Sequence, residues 1–329
     1  MIRQPSVGNA GSDRKGESTA ARHPLVVLVG PTGVGKSALA VDLAERFGGV
    51  VVSADSRSFY RGMDIGTAKP SRAERSRVPH FLIDVTDPDR PWSVAEFQRR
   101  ATEAIEESHS GGQLPFLVGG TGQYVRALIQ GWEPPPPAPD STVRLRLEEQ
   151  ARVEGPERLH ERLAALDPAA GQRIDLRNVR RVVRALEVIL TSGSAFSGQQ
   201  TRAAPPYDVL QVGLTLPRPE LYARIEARIR TMFEAGLVEE VRRLVQAGYG
   251  WELPAMSAIG YKQVGSYLRG EISLEEAELQ MRRATRRFVR QQANWFRADD
   301  PAIHWFDARE GTLSEIEALL RRWIEGRER

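Results

Sequence analysis

The segment Leu25-Val26-Val27-Leu28-Val29 is short, wholly apolar and rich in β-branched residues, the pattern of a strand buried on both faces of a parallel sheet. It runs directly into Gly30-Pro-Thr-Gly-Val-Gly35-Lys36-Ser37, which matches the P-loop pattern G-x-x-x-x-G-K-[ST]. A buried strand before the loop and a helix after it is the setting this pattern requires. Glycines let backbone N–H groups turn inward around an anion, and the N-terminus of the helix adds the positive end of its dipole. Lys36 supplies a point charge, and the Ser37 hydroxyl can ligate Mg2+. Gly30, Pro31, Thr32, Gly33, Val34, Gly35, Lys36 and Ser37 are therefore expected to cradle a diphosphate or polyphosphate, as in nucleotide- and ATP-binding sites.

The following residues repeat the same alternation. Ser37 to Phe47 reads as a helix with Leu39, Leu43 and Phe47 on one side. Val50–Val52, Phe81–Ile83 and Phe116–Val118 read as further buried strands, the last two separated by a helical stretch from Ser93 to about Ser108. Right-handed crossovers would lay these elements into one α/β layer. The pattern then changes at Pro134–Pro137 and Pro139, a stiff polyproline linker. Ser141 to about Leu190 reads as helices throughout, and a break rich in Ser, Gly and Ala follows from Ser192 to Pro206. Strand character returns at Val209–Leu214, helices resume after Pro219, and Ile303–Phe306 reads as a last strand. The expected fold is α/β, a P-loop NTPase-like parallel sheet flanked by helices, with an inserted helical domain. The core would comprise residues 25–139 and 206–329, and the insert residues 140–205. Residues 1–24 lack hydrophobic periodicity and are expected to form a disordered tail.

Composition removes several classes of chemistry. The 329 residues include no cysteine, which excludes disulfide frameworks, zinc knuckles, iron–sulfur clusters and thiol nucleophiles. No apolar run approaches the roughly 20 residues that would span a bilayer. The first residues lack the apolar stretch of a secretory signal, so export is not expected and a cytoplasmic location is. Only four of the 46 basic residues are lysine, at positions 15, 36, 69 and 262. A pI near 9.3 is compatible with an anionic partner.

The carboxylates narrow the chemistry. NTP hydrolases and kinases with this loop usually hold Mg2+ with a carboxylate at the end of another buried strand. Here Phe116–Val118 ends in Gly119-Gly120-Thr121-Gly122, which has no acid. The strand at Val50–Val52 does lead to one, Asp55. Asp55 could bind metal indirectly, could act as a general base on something other than phosphate, or could be a turn residue with no role. A P-loop kinase for a small metabolite fits this much.

Longer stretches are more specific. GPTGVGKS, Ala54–Pro70 (ADSRSFYRGMDIGTAKP), Leu82–Pro88, Phe116–Tyr124, Arg184–Val188, Ala258–Lys262 and Thr285–Arg297 together resemble the tRNA dimethylallyltransferases. The resemblance runs in order from about Pro24 to Trp305, and Met63–Lys69 is its most discriminating part, since no generic nucleotide site requires it. Three of the four lysines fall inside these motifs. Departures from the family's usual pattern include Ser58, Phe81, Asn178, Gln263, Gln291 and Asn294.

The resemblance implies transfer of a dimethylallyl group from dimethylallyl diphosphate to N6 of adenosine 37 in the tRNA anticodon loop. It implies Mg2+ at Ser37, Asp55 as the base, and Thr121 and Lys36 as further catalytic residues, with Arg224 as another diphosphate ligand. Contacts to tRNA are implied for Asp55, Ser56, Arg57 and Ser58, for Thr121 and Arg144, and for Arg180, Arg181, Val182, Val183 and Arg184. They are implied also for Ser257, Gly260, Tyr261 and Lys262, and for Arg290, Gln291, Gln292, Trp295 and Arg297. A monomer with no membrane partner is expected. Arg282, Arg286 and Arg290 recur every fourth residue on one helix face with Arg283 and Arg287 beside them, which suits either phosphate contacts or a solvated face. A kinase reading leaves both the arginine stripe and Met63–Lys69 unexplained.

Overall fold

The computed structural model describes residues 23–90, 92–132, 140–198, 207–309 and 311–327. Most of the expected tail, the polyproline linker and residues 199–206 of the second break lie outside the described residues. Six strands form one parallel sheet: β1 (His23–Val29), β2 (Val50–Ser53), β3 (His80–Phe81), β4 (Pro115–Val118), β5 (Tyr207–Thr215) and β6 (Ile303–Asp307). Their order is β3-β2-β4-β1-β5-β6. β1 is central, with Val26 opposite Phe116 on one side and Leu210 on the other. Leu25 to Val29 are fully buried, as a run apolar on both faces requires.

Two boundaries differ from expectation. His23 and Pro24 pair with Tyr207 and Asp208, so they belong to the sheet rather than to a tail. The third strand is His80–Phe81, not Phe81–Ile83, because Leu82 adopts a φ of 60° and Asp84 a φ of 57°, which end the extended chain. Lys69 anchors this turn, its Nζ donating to Asp84 at 2.6 Å, to Asp64 at 2.7 Å and to the Tyr60 carbonyl at 2.6 Å. Met63–Lys69 is thus held to the turn after β3 by a buried ammonium.

Alternation along the strands divides the core in two. Leu25, Val27 and Val29 pack with Phe97, Ala101, Tyr124 and Val125, while Val26 and Leu28 face the opposite layer. On that opposite side α1 (Lys36–Arg46) packs Ala40, Val41, Leu43 and Ala44 inward. α2 (Arg72–Arg77) is a short outer helix closed by a Ser71–Glu74 capping box. α3 (Val94–Ser110), capped by Ser93, and α4 (Gly122–Ile129) cover the first face. α5 (Ser141–Glu154), α6 (Pro156–Leu166), α7 (Pro168–Arg173) and α8 (Val179–Ser192) enclose a separate core that includes Leu147, Leu159, Leu163, Val183 and Leu186. Buried Glu187 braces it by pairing with Arg144 at 2.8 Å and Arg184 at 3.0 Å. α9 (Arg218–Glu234), α10 (Leu237–Gln246), α11 (Tyr261–Leu268), α12 (Leu274–Ala293) and α13 (Thr312–Glu325) return to the α1 side of the sheet.

Candidate active site

Because every strand is parallel, the turns after β1, β2 and β4 leave one edge of the sheet side by side. Ligands of open α/β sheets bind at such an edge. The P-loop follows β1, Asp55 follows β2, and Gly119–Gly122 follows β4. All three line one cavity of about 980 Å³, closed on the other side by α9 and α12.

The loop has the backbone its sequence promises. Gly33 and Gly35 have φ values of 86° and 104°, a region that favours glycine, and a Cβ at Gly33 would lie 2.9 Å from Ile225. Lys36 Nζ donates to the Gly30 and Pro31 carbonyls, each at 2.9 Å, which draws its charge over the mouth of the cradle. Burial lowers the Lys36 ammonium to about 8, with Asp55 opposing the shift and Arg228 adding to it. Ser37 is exposed and lines the same cavity.

Asp55 is fixed by its own turn: Oδ1 accepts from Arg57 N–H at 2.9 Å, and its backbone N–H donates to Ser53 Oγ at 3.3 Å. Among the described residues Oδ2 has no hydrogen bond. Thr121 Oγ1 accepts from Ser56 N–H at 3.1 Å, tying the β4 turn to the Asp55 turn. The glycines without an acid after β4 now have a reason. A Cβ at Gly119 would lie 2.4 Å from the Ala54 carbonyl, one at Gly120 2.1 Å from Gln292, and one at Gly122 2.2 Å from Trp295. Small residues let three elements converge where other P-loop proteins place a carboxylate.

The structure sorts the sequence-derived residues. Asp55, Ser56, Arg57, Ser58, Thr121, Ser257, Gln291, Gln292 and Trp295 share the cavity lining with the P-loop. Arg180, Arg181, Lys262, Arg290 and Arg297 are exposed outside it, Arg297 paired with Asp299 at 2.8 Å. Of the expected tRNA contacts, Val182 and Val183 pack in the α5–α8 core and Tyr261 is buried, while Ser58 and Gln292 are buried yet reach the cavity wall. The Tyr261 hydroxyl donates to Glu240 at 2.6 Å, and the same carboxylate accepts from the N–H groups of Asp64, Ile65 and Gly66. Burial and Glu240 push the Tyr261 phenol far above its ordinary range. Gly260 is buried as well, whereas Arg144 and Arg184 are engaged with Glu187.

Within the arginine stripe, Arg282 pairs with Glu278 and Arg286 with Glu226, while Arg283, Arg287 and Arg290 are exposed with no ion pair among the described residues. Sequence reasoning missed Arg228. Arg224, the expected diphosphate ligand, lines the cavity but is exposed, with Nη2 donating to the Ala308 carbonyl at 3.4 Å. Arg228, one turn further along α9, lines the cavity, is shielded enough for burial to lower its guanidinium, and has no hydrogen bond among the described residues. The missed signal was its place beside Ile225, Ile229 and Met232, the buried stripe of α9, where a charge needs a reason.

A parallel sheet whose β1 runs into the P-loop, with Asp55 at the same edge and lining the same cavity, defines a P-loop α/β protein. Comparisons with known proteins refine this. Residues 58–299 match the IPP transferase family and residues 23–87 the isopentenyl transferase family. A tRNA dimethylallyltransferase of Roseiflexus sp. (strain RS-1) is 48% identical over 303 residues, covering 92% of this chain and 99% of that protein. A tRNA isopentenylpyrophosphate transferase structure from Bacillus halodurans superposes with a TM-score of 0.68 at 41% identity, covering 93% of this chain and 97% of that one. A eukaryotic dimethylallyltransferase acting on tRNA gives a TM-score of 0.76 at 26% identity, covering 91% and 77%. The chain belongs to the IPP transferase family.

Proposed function

We propose that this protein transfers a dimethylallyl group from dimethylallyl diphosphate to N6 of adenosine 37 in the anticodon loop of tRNA, releasing diphosphate. The observation that carries this reading is the convergence of the P-loop, Asp55 and Thr121 on one cavity whose β4 turn lacks a carboxylate. The N6 lone pair attacks the allylic carbon, the C–O bond breaks with its electrons passing to diphosphate, and the N–H proton goes to Asp55 Oδ2. An exocyclic amine conjugated with its ring is a poor nucleophile and gains from such a base. Charge developing on the leaving group meets inward N–H groups, Lys36 and Arg228, the electrostatic term that usually dominates.

Magnesium fits the donor set. Ser37 offers a hydroxyl at the cavity, and no cluster of three or more metal-binding side chains occurs among the described residues. Mg2+ commonly takes few protein ligands beside phosphate oxygens and water. When bound there by Ser37 and the diphosphate, it would supply further neutralisation of the leaving group.

Residues 140–205 would act as the RNA-contacting insert through exposed Arg180 and Arg181, and α12 through Arg283, Arg287 and Arg290. No helix among the described residues is long and apolar enough to cross a membrane, and a tRNA substrate favours action in the cytoplasm. One chain supplies every group named, which supports a monomer. The kinase reading is not favoured: the relatives described above are tRNA dimethylallyl- and isopentenyltransferases, and a kinase gives the arginine face no task. Replacing Asp55 by Asn keeps the shape and removes the base. Prenyl transfer should fall about a hundredfold or more with the melting temperature retained, and near-normal turnover would contradict the assignment.

A further inference from the structure

Gln292 lies in the last turn of α12, 3% exposed, with the two ends of its amide committed to different loops. Oε1 accepts from the Thr32 N–H at 2.9 Å, and Nε2 donates to the Gly120 carbonyl at 3.1 Å. A backbone N–H can only donate and a carbonyl can only accept, so the partners fix which way the amide points. There is no slack, since even a Cβ at Gly120 would come within 2.1 Å of Nε2. Thr32 belongs to the phosphate cradle. Gly120 precedes Thr121, whose hydroxyl holds Ser56 beside Asp55. One side chain therefore spans from the donor loop to the loop that sets the base.

The helix that carries this amide also faces outward. At about 100° per residue, Arg283 and Arg290 project from the side of α12 opposite Gln292, Arg287 reaches the rim of the cavity, and all three are exposed. We propose that Gln292 is a positioning residue through which RNA docking on α12 and anion binding in the P-loop favour each other. This rests on the tRNA reading above. A helix drawn toward RNA by its outer arginines moves as a unit, and an amide confined at both ends moves with it. The placement of α12 that suits the RNA thereby sets the Pro31–Thr32 peptide at the lip of the cradle. Linkage of this kind is reciprocal: whatever tRNA does for the anion, the anion does for tRNA.

Inorganic diphosphate with Mg2+ is the probe, because it can occupy the cradle without reacting. In the full chain its affinity should rise about tenfold when tRNA is saturating. In Gln292→Leu each ligand should still bind alone, but the ratio should shrink to within about twofold of unity. Gly120→Ala, which displaces the amide from the other side, should lose the linkage in the same way. A purely structural role for Gln292 would lower the melting temperature and both affinities while leaving the ratio as it was. A wild-type ratio of one, or a wild-type ratio kept in Gln292→Leu or Gly120→Ala, overturns the proposal. Failure of the wild-type protein to bind either ligand would overturn the functional reading and this inference with it, whereas binding without linkage overturns the inference alone.

Discussion

At the scale of single residues, Lys36 makes the most exposed commitment. Its ammonium, lowered to about 8 from an ordinary 10.5, is charged at neutral pH and loses that charge a little above it. Affinity for inorganic diphosphate should therefore decline as pH rises from 7 to 9.5. Lys36→Met, uncharged throughout, should bind more weakly at pH 7 and lack that decline, and titration calorimetry at both pH values decides it. The stability effect has the opposite sense. Between about 8 and 10.5 the unfolded chain holds this proton more tightly than the folded one, so the residue's contribution to stability rises with pH across that window. The methionine variant should accordingly melt higher than wild type at pH 7, with the gap narrowing toward pH 10.5. Equal melting temperatures at both ends would show that the lysine is not desolvated. The Lys36 position was legible because a P-loop is a local pattern. Arg228 was not, because its significance comes from α9 meeting the sheet edge, a contact far apart in sequence.

At the scale of elements, α12 separates what a periodicity argument can and cannot give. Its existence and its basic face follow from the recurrence of arginines. Yet its buried face carries Thr285 and Gln292 along with Met281 and Val289, and a polar residue on a buried face reads in sequence as a surface residue. Nor does sequence show that Tyr261, a tRNA contact only by resemblance, lies in the core with its hydroxyl on Glu240. Conversely, Arg282 and Arg286 fit the stripe by spacing and are partly spent on Glu278 and Glu226. That leaves Arg287, exposed and at the cavity, as the cleanest probe. Arg287→Ala should raise the apparent KM for tRNA, leave that for dimethylallyl diphosphate alone, and flatten the log–log salt slope of tRNA binding by somewhat under one unit. Arginine stems also cover apolar surface, so the melting temperature is read in the same variant. Unchanged tRNA affinity and salt slope would make this face only a solvated one and move the RNA surface toward Arg180 and Arg181.

At the scale of the whole molecule, alternating strands and helices announced a parallel sheet, and the helical stretch after the prolines stood out against it. The strand order did not follow from the sequence. β4 lies between β1 and β2, which puts Gly119–Gly122 between the P-loop and Asp55 and explains why that turn is built of glycines. No local pattern states this, because it depends on which strands pair. The central claim is that this arrangement moves a prenyl group and not a phosphoryl group. The most direct measurement incubates the protein and Mg2+ with labelled dimethylallyl diphosphate, offering tRNA or AMP as acceptor, and follows the label together with released diphosphate. Label should enter tRNA at N6 of adenosine 37 with one diphosphate released per group transferred, AMP should stay unlabelled, and no ADP should form when ATP is supplied. Label on AMP but not on tRNA, or ATP-dependent phosphorylation of a small acceptor with no prenyl transfer, would contradict the account.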